Sequence, residues 1–82
     1  MDLSEIIQRN KYRNQILEIL TLCVKRQPVT RKLIGEQILL SDAIIDSILY
    51  LLDSLKLIDI QYMGRTKLYR ASGTTKSFLE TR

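Results

Sequence analysis

Residues 41–71 read SDAIIDSILYLLDSLKLIDIQYMGRTKLYRA, and this stretch decides the fold because its hydrophobic period changes once, near Lys56. In the first half Ile44, Ile45, Ile48, Leu49, Leu52 and Leu55 recur at three- and four-residue spacing. That is the stripe of an amphipathic helix, with Asp42, Asp46 and Asp53 opposite. Ser41 stands where its hydroxyl can cap the first turn, and Asp42 and Asp46 suit the positive end of the helix dipole. In the second half residues 57–62 and 67–71 alternate instead, on either side of Met63-Gly64-Arg65-Thr66. Gly64 suits the first central position of a type II′ turn. A turn centred on Gly64 and Arg65 pairs Ile60 with Tyr69, Ile58 with Ala71 and Asp59 with Arg70. That register gives an apolar inner and a polar outer face, so turn chemistry and alternation specify the same hairpin.

Upstream, residues 12–27 carry Ile16, Leu17, Ile19, Leu20, Cys23 and Val24 at helical spacing, and Pro28 closes the segment by excluding further helical bonding. Tyr12, Ile19 and Leu22 widen the apolar face beyond what one packing partner needs. Thr30 is placed to cap a short helix running through Leu33 and Ile34 to about Gln37, with Arg31 and Lys32 exposed on its first turn. Residues 1–11 form an N-terminal extension in which Ser4 can cap a turn containing Leu3, Ile6 and Ile7, before the polar stretch 8–11. Downstream, Ser72 can cap a last short helix carrying Phe78 and Leu79.

The 82 residues, 45% of them hydrophobic and with only three Gly and one Pro, are those of one folded domain spanning 1–82. No His, no Trp and a single Cys remove the usual acid–base residue and any Cys/His zinc site, so neither an enzyme nor a metal or cofactor is expected. One cysteine cannot staple the fold, which fits a reducing, intracellular setting. Cys23, on an apolar helix face, reads as a small hydrophobe without chemistry. No run approaches the roughly 18 apolar residues of a membrane span, and the N-terminus lacks the pattern of a signal peptide.

Helix, short helix, capped helix, hairpin and terminal helix is the order of a winged helix-turn-helix domain, an α+β, mostly α, architecture. Tyr12-Arg13-Asn14-Gln15-Ile16-Leu17-Glu18-Ile19-Leu20, then Leu40-Ser41 and Leu51-Leu52-Asp53-Ser54-Leu55-Lys56-Leu57-Ile58, resemble the small archaeal winged-helix regulators of crenarchaea, their plasmids and their viruses. Tyr69-Arg70-Ala71-Ser72-Gly73-Thr74-Thr75-Lys76-Ser77-Phe78-Leu79-Glu80 resembles their closing strand and final helix, with the usual Thr-Glu-Lys-Gly replaced by Ser72-Gly73-Thr74-Thr75. The resemblance covers residues 12 to 80. It implies a homodimeric regulator that binds double-stranded DNA, cytoplasmic and nucleoid-associated. The chain stops before the long coiled-coil helix that some such proteins carry. The dimer surface is left to residues 1–11, the extra apolar residues of the first long helix, or the turn around Phe78.

The charge is uneven. The net +4 divides into +3 over residues 1–40, −3 over 41–60 and +4 over 61–82. The helix that would enter the major groove is therefore acidic and offers no Arg or Lys to read guanine. The reading that accommodates this brings Ser41, Ala43, Ser47 and Tyr50 to the groove, while Arg65, Thr66 and Lys67 of the wing and Arg31 and Lys32 of the short helix hold phosphates. Taken singly, each of these cations also fits an ordinary solvated surface charge. The alternative is a winged-helix adaptor that binds protein and not DNA, since an acidic helix repels a polyanion and the fold serves both uses. No small-molecule ligand is expected in a chain with so little spare volume.

Overall fold

The structure, a computed structural model, describes residues 3–80; the outermost two positions at each end, including the start of the N-terminal extension, lie outside the described residues. The elements are α1 (Leu3–Gln8), α2 (Arg13–Lys25), β1 (Val29–Thr30), α3 (Arg31–Gln37), α4 (Asp42–Ser54), β2 (Ile58–Met63), β3 (Thr66–Ala71) and α5 (Gly73–Glu80). Helices α2, α3 and α4 with the β2–β3 wing are a winged helix-turn-helix, flanked by α1 and α5.

Each cap is a local consequence of sequence. The Thr30 hydroxyl accepts the Leu33 N–H at 3.1 Å, the Ser41 hydroxyl that of Ile44 at 3.3 Å, and the Ser72 hydroxyl that of Thr75 at 3.3 Å. Helix α2 is shorter than residues 12–27: Arg26 caps it, three residues before β1 opens, and the Gln27–Pro28 peptide is cis. Ser4 is not an N-cap but lies inside α1. The break between α1 and α2 is a built turn, in which the Asn10 Oδ1 accepts the Tyr12 N–H at 2.8 Å.

Helix α4 ends in a Schellman motif. The Lys56 N–H bonds the Asp53 carbonyl at 3.0 Å and the Leu57 N–H the Leu52 carbonyl at 2.9 Å, while Lys56 takes φ 59°, a left-handed position usually given to glycine. Leu52 and Leu57, which the motif brings together, are both fully buried. The next turn is tied down from the other side. The Leu57 carbonyl accepts the Ser72 N–H at 3.1 Å and the hydroxyl of buried Thr75, and the Ser72 hydroxyl donates to the Lys56 carbonyl at 2.9 Å.

The hairpin has the expected register, with Ile58 opposite Ala71, Asp59 opposite Arg70, Ile60 opposite Tyr69 and Tyr62 opposite Lys67. Gly64 has φ 64° while Arg65 keeps a negative φ, as a type II′ turn requires. Two features differ from the sequence expectation. The sheet has three antiparallel strands in the order β1-β3-β2, because Val29 and Thr30 pair with Tyr69 and Leu68. The outer face is also not wholly polar: Leu68 is half-buried there and Met63 is exposed.

One cluster of buried side chains joins the elements, including Ile7 of α1, Ile16, Ile19, Leu20 and Cys23 of α2, Ile34 of α3, Ile45, Ile48, Leu49 and Leu52 of α4, and Ile58, Tyr69 and Ala71 of the wing. Burial contributes about 1.5–3 kcal/mol for each large aliphatic side chain. Ile19 is part of this core and not of a surplus face, whereas Leu17 and Leu22 stay half-buried. Among the described residues no helix is long and apolar enough to cross a membrane.

Candidate nucleic-acid interface

Periodicity commits Ile45, Ile48, Leu49 and Leu52 of α4 to the core, which turns Ala43, Asp46, Ser47, Tyr50 and Asp53 outward, all exposed. Tyr50 is 76% exposed, more than a core-edge tyrosine would be. The Ser47 hydroxyl donates to the Ala43 carbonyl at 3.0 Å, leaving its oxygen lone pairs toward solvent as acceptors. Ser41 is exposed at the cap, its oxygen engaged by Ile44.

The acidity of this helix is answered within the fold. The Arg31 Nε donates to the Asp46 Oδ1 at 2.8 Å and its Nη2 to the Asp42 Oδ1 at 3.0 Å and, more weakly, the Asp42 carbonyl at 3.4 Å. One guanidinium thus bridges two carboxylates one helical turn apart, and these bonds hold its pKa above the ordinary arginine value. Gly35 makes room for it: a Cβ there would stand 3.0 Å from the Arg31 Nη1, so the absence of a side chain lets Arg31 lie across its own helix. Arg31 is therefore engaged, its side chain only 25% exposed, while its neighbour Lys32 is exposed and has no ion pair among the described residues.

On one side of α4 a groove separates it from the wing, lined by Asp46, Tyr50 and Asp53 of the helix and Tyr62, Lys67 and Tyr69 of the strands. Tyr62 is 67% exposed, whereas Tyr69 is buried and desolvation raises its hydroxyl pKa. Arg65 and Thr66 are exposed at the tip beyond it. The structure thus brings Tyr50 and Lys67 to one groove, with Arg65 and Thr66 continuing the wing and Lys32 on α3.

On the other side lies a groove that the sequence reading did not include. Its lining is Arg9, Asn10, Lys11 and Tyr12 from the α1–α2 turn and Ile44, Ser47 and Ile48 from α4. Both cations are exposed and lightly held. Arg9 pairs with Glu5 at 2.9 Å, a surface i,i+4 pair of about 0.3–0.5 kcal/mol, and the Lys11 ammonium sits 5.5 Å from the Tyr12 ring centroid, an exposed contact of about 0.5–1 kcal/mol. The only sequence signal was the basic run Arg9-Asn10-Lys11-Tyr12-Arg13, whose position beside α4 is set by tertiary packing.

Among the described residues no trio of His, Cys, Asp or Glu side chains is placed to hold a metal ion, and every buried side-chain polar atom has a partner.

No protein-family model and no curated protein sequence matches the chain. Solved structures do match its fold. The type III plasmid-segregation protein TubR superposes with a TM-score of 0.77 at 21% identity, over 98% of this chain and 83% of that one. A mutant of TubR gives 0.75 at 21% identity over 98% and 88%. The protein AF1382 from Archaeoglobus fulgidus gives 0.74 at 18% identity over 94% and 87%. At these identities the likeness establishes the fold, and the chain is built as a small winged-helix protein of the same architecture as TubR and AF1382.

Proposed function

We propose that this protein binds double-stranded DNA in a sequence-specific way, as a homodimeric transcriptional regulator. Helix α4 enters the major groove by Ser41, Ala43, Ser47 and Tyr50, and the wing residues Arg65, Thr66 and Lys67, with Lys32, hold the backbone. The observation that carries this reading is the outer face of α4. It is exposed and uncharged at Ala43, Ser47 and Tyr50, and Lys67 of the wing borders the groove beside Tyr50. Arg31 supports it by offsetting one of the two charges of Asp42 and Asp46, which would otherwise both oppose phosphate. Its part is to hold those carboxylates, which leaves Lys32 as the phosphate contact of α3. TubR is described as a plasmid-segregation protein, and a plasmid is DNA, which also favours a nucleic-acid partner.

A salt titration of binding to random-sequence duplex tests this reading. The wild type should lose affinity steeply as salt rises, and Arg65→Ala with Lys67→Ala should weaken binding and lower the slope by about 0.9 for each phosphate contact removed. A wild type that fails to bind at low salt would transfer the function to the adaptor reading, and a double variant with an unchanged slope would remove the wing from the interface.

A further inference from the structure

We infer that the α1–α2 turn is a second backbone clamp, in which Arg9 and Lys11 hold phosphates on the side of α4 away from the wing. The inference rests on the DNA reading above and adds a site to it.

Four observations carry it. Arg9 and Lys11 line the same groove as Ser47, so the turn borders the outward face of α4 as the wing does on the opposite side. The turn is ordered, since the Asn10 Oδ1 accepts the Tyr12 N–H at 2.8 Å and the Arg13 N–H bonds the Asn10 carbonyl at 3.2 Å. A cation on such a turn reaches phosphate with little further ordering. Both cations are exposed, and the groups they touch, Glu5 and the Tyr12 ring, are ones a phosphate can replace. The remaining lining, Ile44, Ile48, Asn10 and Tyr12, adds no carboxylate to that of Glu5. A helix lying in a major groove has a phosphate strand along each flank, so a protein with cations on both flanks grips both strands. The ligand is the sugar–phosphate backbone, and the contact is indifferent to base sequence.

The experiment compares salt titrations on one random-sequence duplex for the wild type, Lys11→Gln, the double variant Arg9→Gln with Lys11→Gln, and a control, Lys25→Gln with Lys76→Gln, whose cations lie on α2 and α5. Circular dichroism on each variant confirms folding. The slope of log affinity against log salt should fall by about 0.9 in Lys11→Gln and about 1.8 in the double variant, with the control at the wild-type value. An unchanged slope in the double variant, or an equal loss in the control, would overturn the clamp while the wild-type titration still supports DNA binding. A wild type that does not bind would overturn the DNA reading itself, and the clamp with it.

Discussion

At the scale of single residues, Cys23 shows how burial sets chemistry. It lies on the core side of α2, fully buried, and desolvation pushes its thiol from the ordinary 9.0 up to about 11. The unfolded chain ionises this thiol near 9 while the folded chain keeps its proton to about 11. The associated stability is therefore complete below pH 9 and is lost as the pH rises through 11, a loss on the order of 2–3 kcal/mol. Urea midpoints taken from pH 8 to 11 should show the wild type falling further than Cys23→Ala, whose decline lacks this part; parallel curves would refute the assignment. The sequence was informative here, because an apolar stripe at helical spacing already placed the cysteine in the core. It was silent about Lys56, where a left-handed backbone carries a side chain instead of the glycine that would have marked it. Helix end and strand start are there fixed by hydrogen bonds to Asp53, Leu52 and Ser72, which no local pattern encodes.

At the scale of elements, the long periodic segments and the hairpin were legible because turn and pattern agreed, and β1 was not, because two residues have no period. Thr30 was legible as a cap for α3, but its pairing with Leu68 depends on how the chain turns after α2. The joining of α3 to α4 is the larger omission. Arg31 precedes Asp42 and Asp46 by 11 and 15 residues, outside any helical neighbour rule, and only the angle between the two helices brings them within hydrogen-bond distance. Its two ion pairs are partly exposed, and at about 0.2–1 kcal/mol each they make Arg31→Gln a destabilising change of about 1 kcal/mol. The same substitution releases two carboxylates onto the outward face of α4, the face proposed above to meet DNA. It should therefore weaken duplex binding, whereas Asp42→Asn with Asp46→Asn should strengthen it by removing the charge and freeing Arg31. Equilibrium unfolding and duplex titration of the two variants check both halves, and affinities that move in the same direction would show that the Arg31 bridge does not control the surface charge.

At the scale of the whole molecule, the charge division seen in the sequence acquires a geometry. The acidic middle segment is α4 and the start of β2, and the basic segments before and after it supply the α1–α2 turn, α3 and the wing. What the sequence could not give is which cations flank α4, since Arg9 and Lys11 precede it by more than 30 residues. The size of the molecule bears on the proposed dimer. Its principal extents are 36 × 26 × 20 Å, and one turn of B-DNA is about 34–36 Å, or about ten base pairs. Two copies related by a two-fold axis can therefore sit side by side on one face of the duplex, each with α4 in a successive major groove. A site selected from random duplex should then be a pseudo-palindrome with half-site centres about ten base pairs apart. Inserting five base pairs between the half-sites turns them to opposite faces of the duplex, and cooperative binding, measured as the gain of the paired site over a single half-site, should disappear. Inserting ten restores the face and lengthens the gap by a full turn, beyond what a direct contact between molecules of these dimensions can span. Cooperativity should therefore stay lost if the two copies touch each other through protein. Its return with ten inserted base pairs would mean that the copies are coupled through the DNA and not through a protein–protein contact.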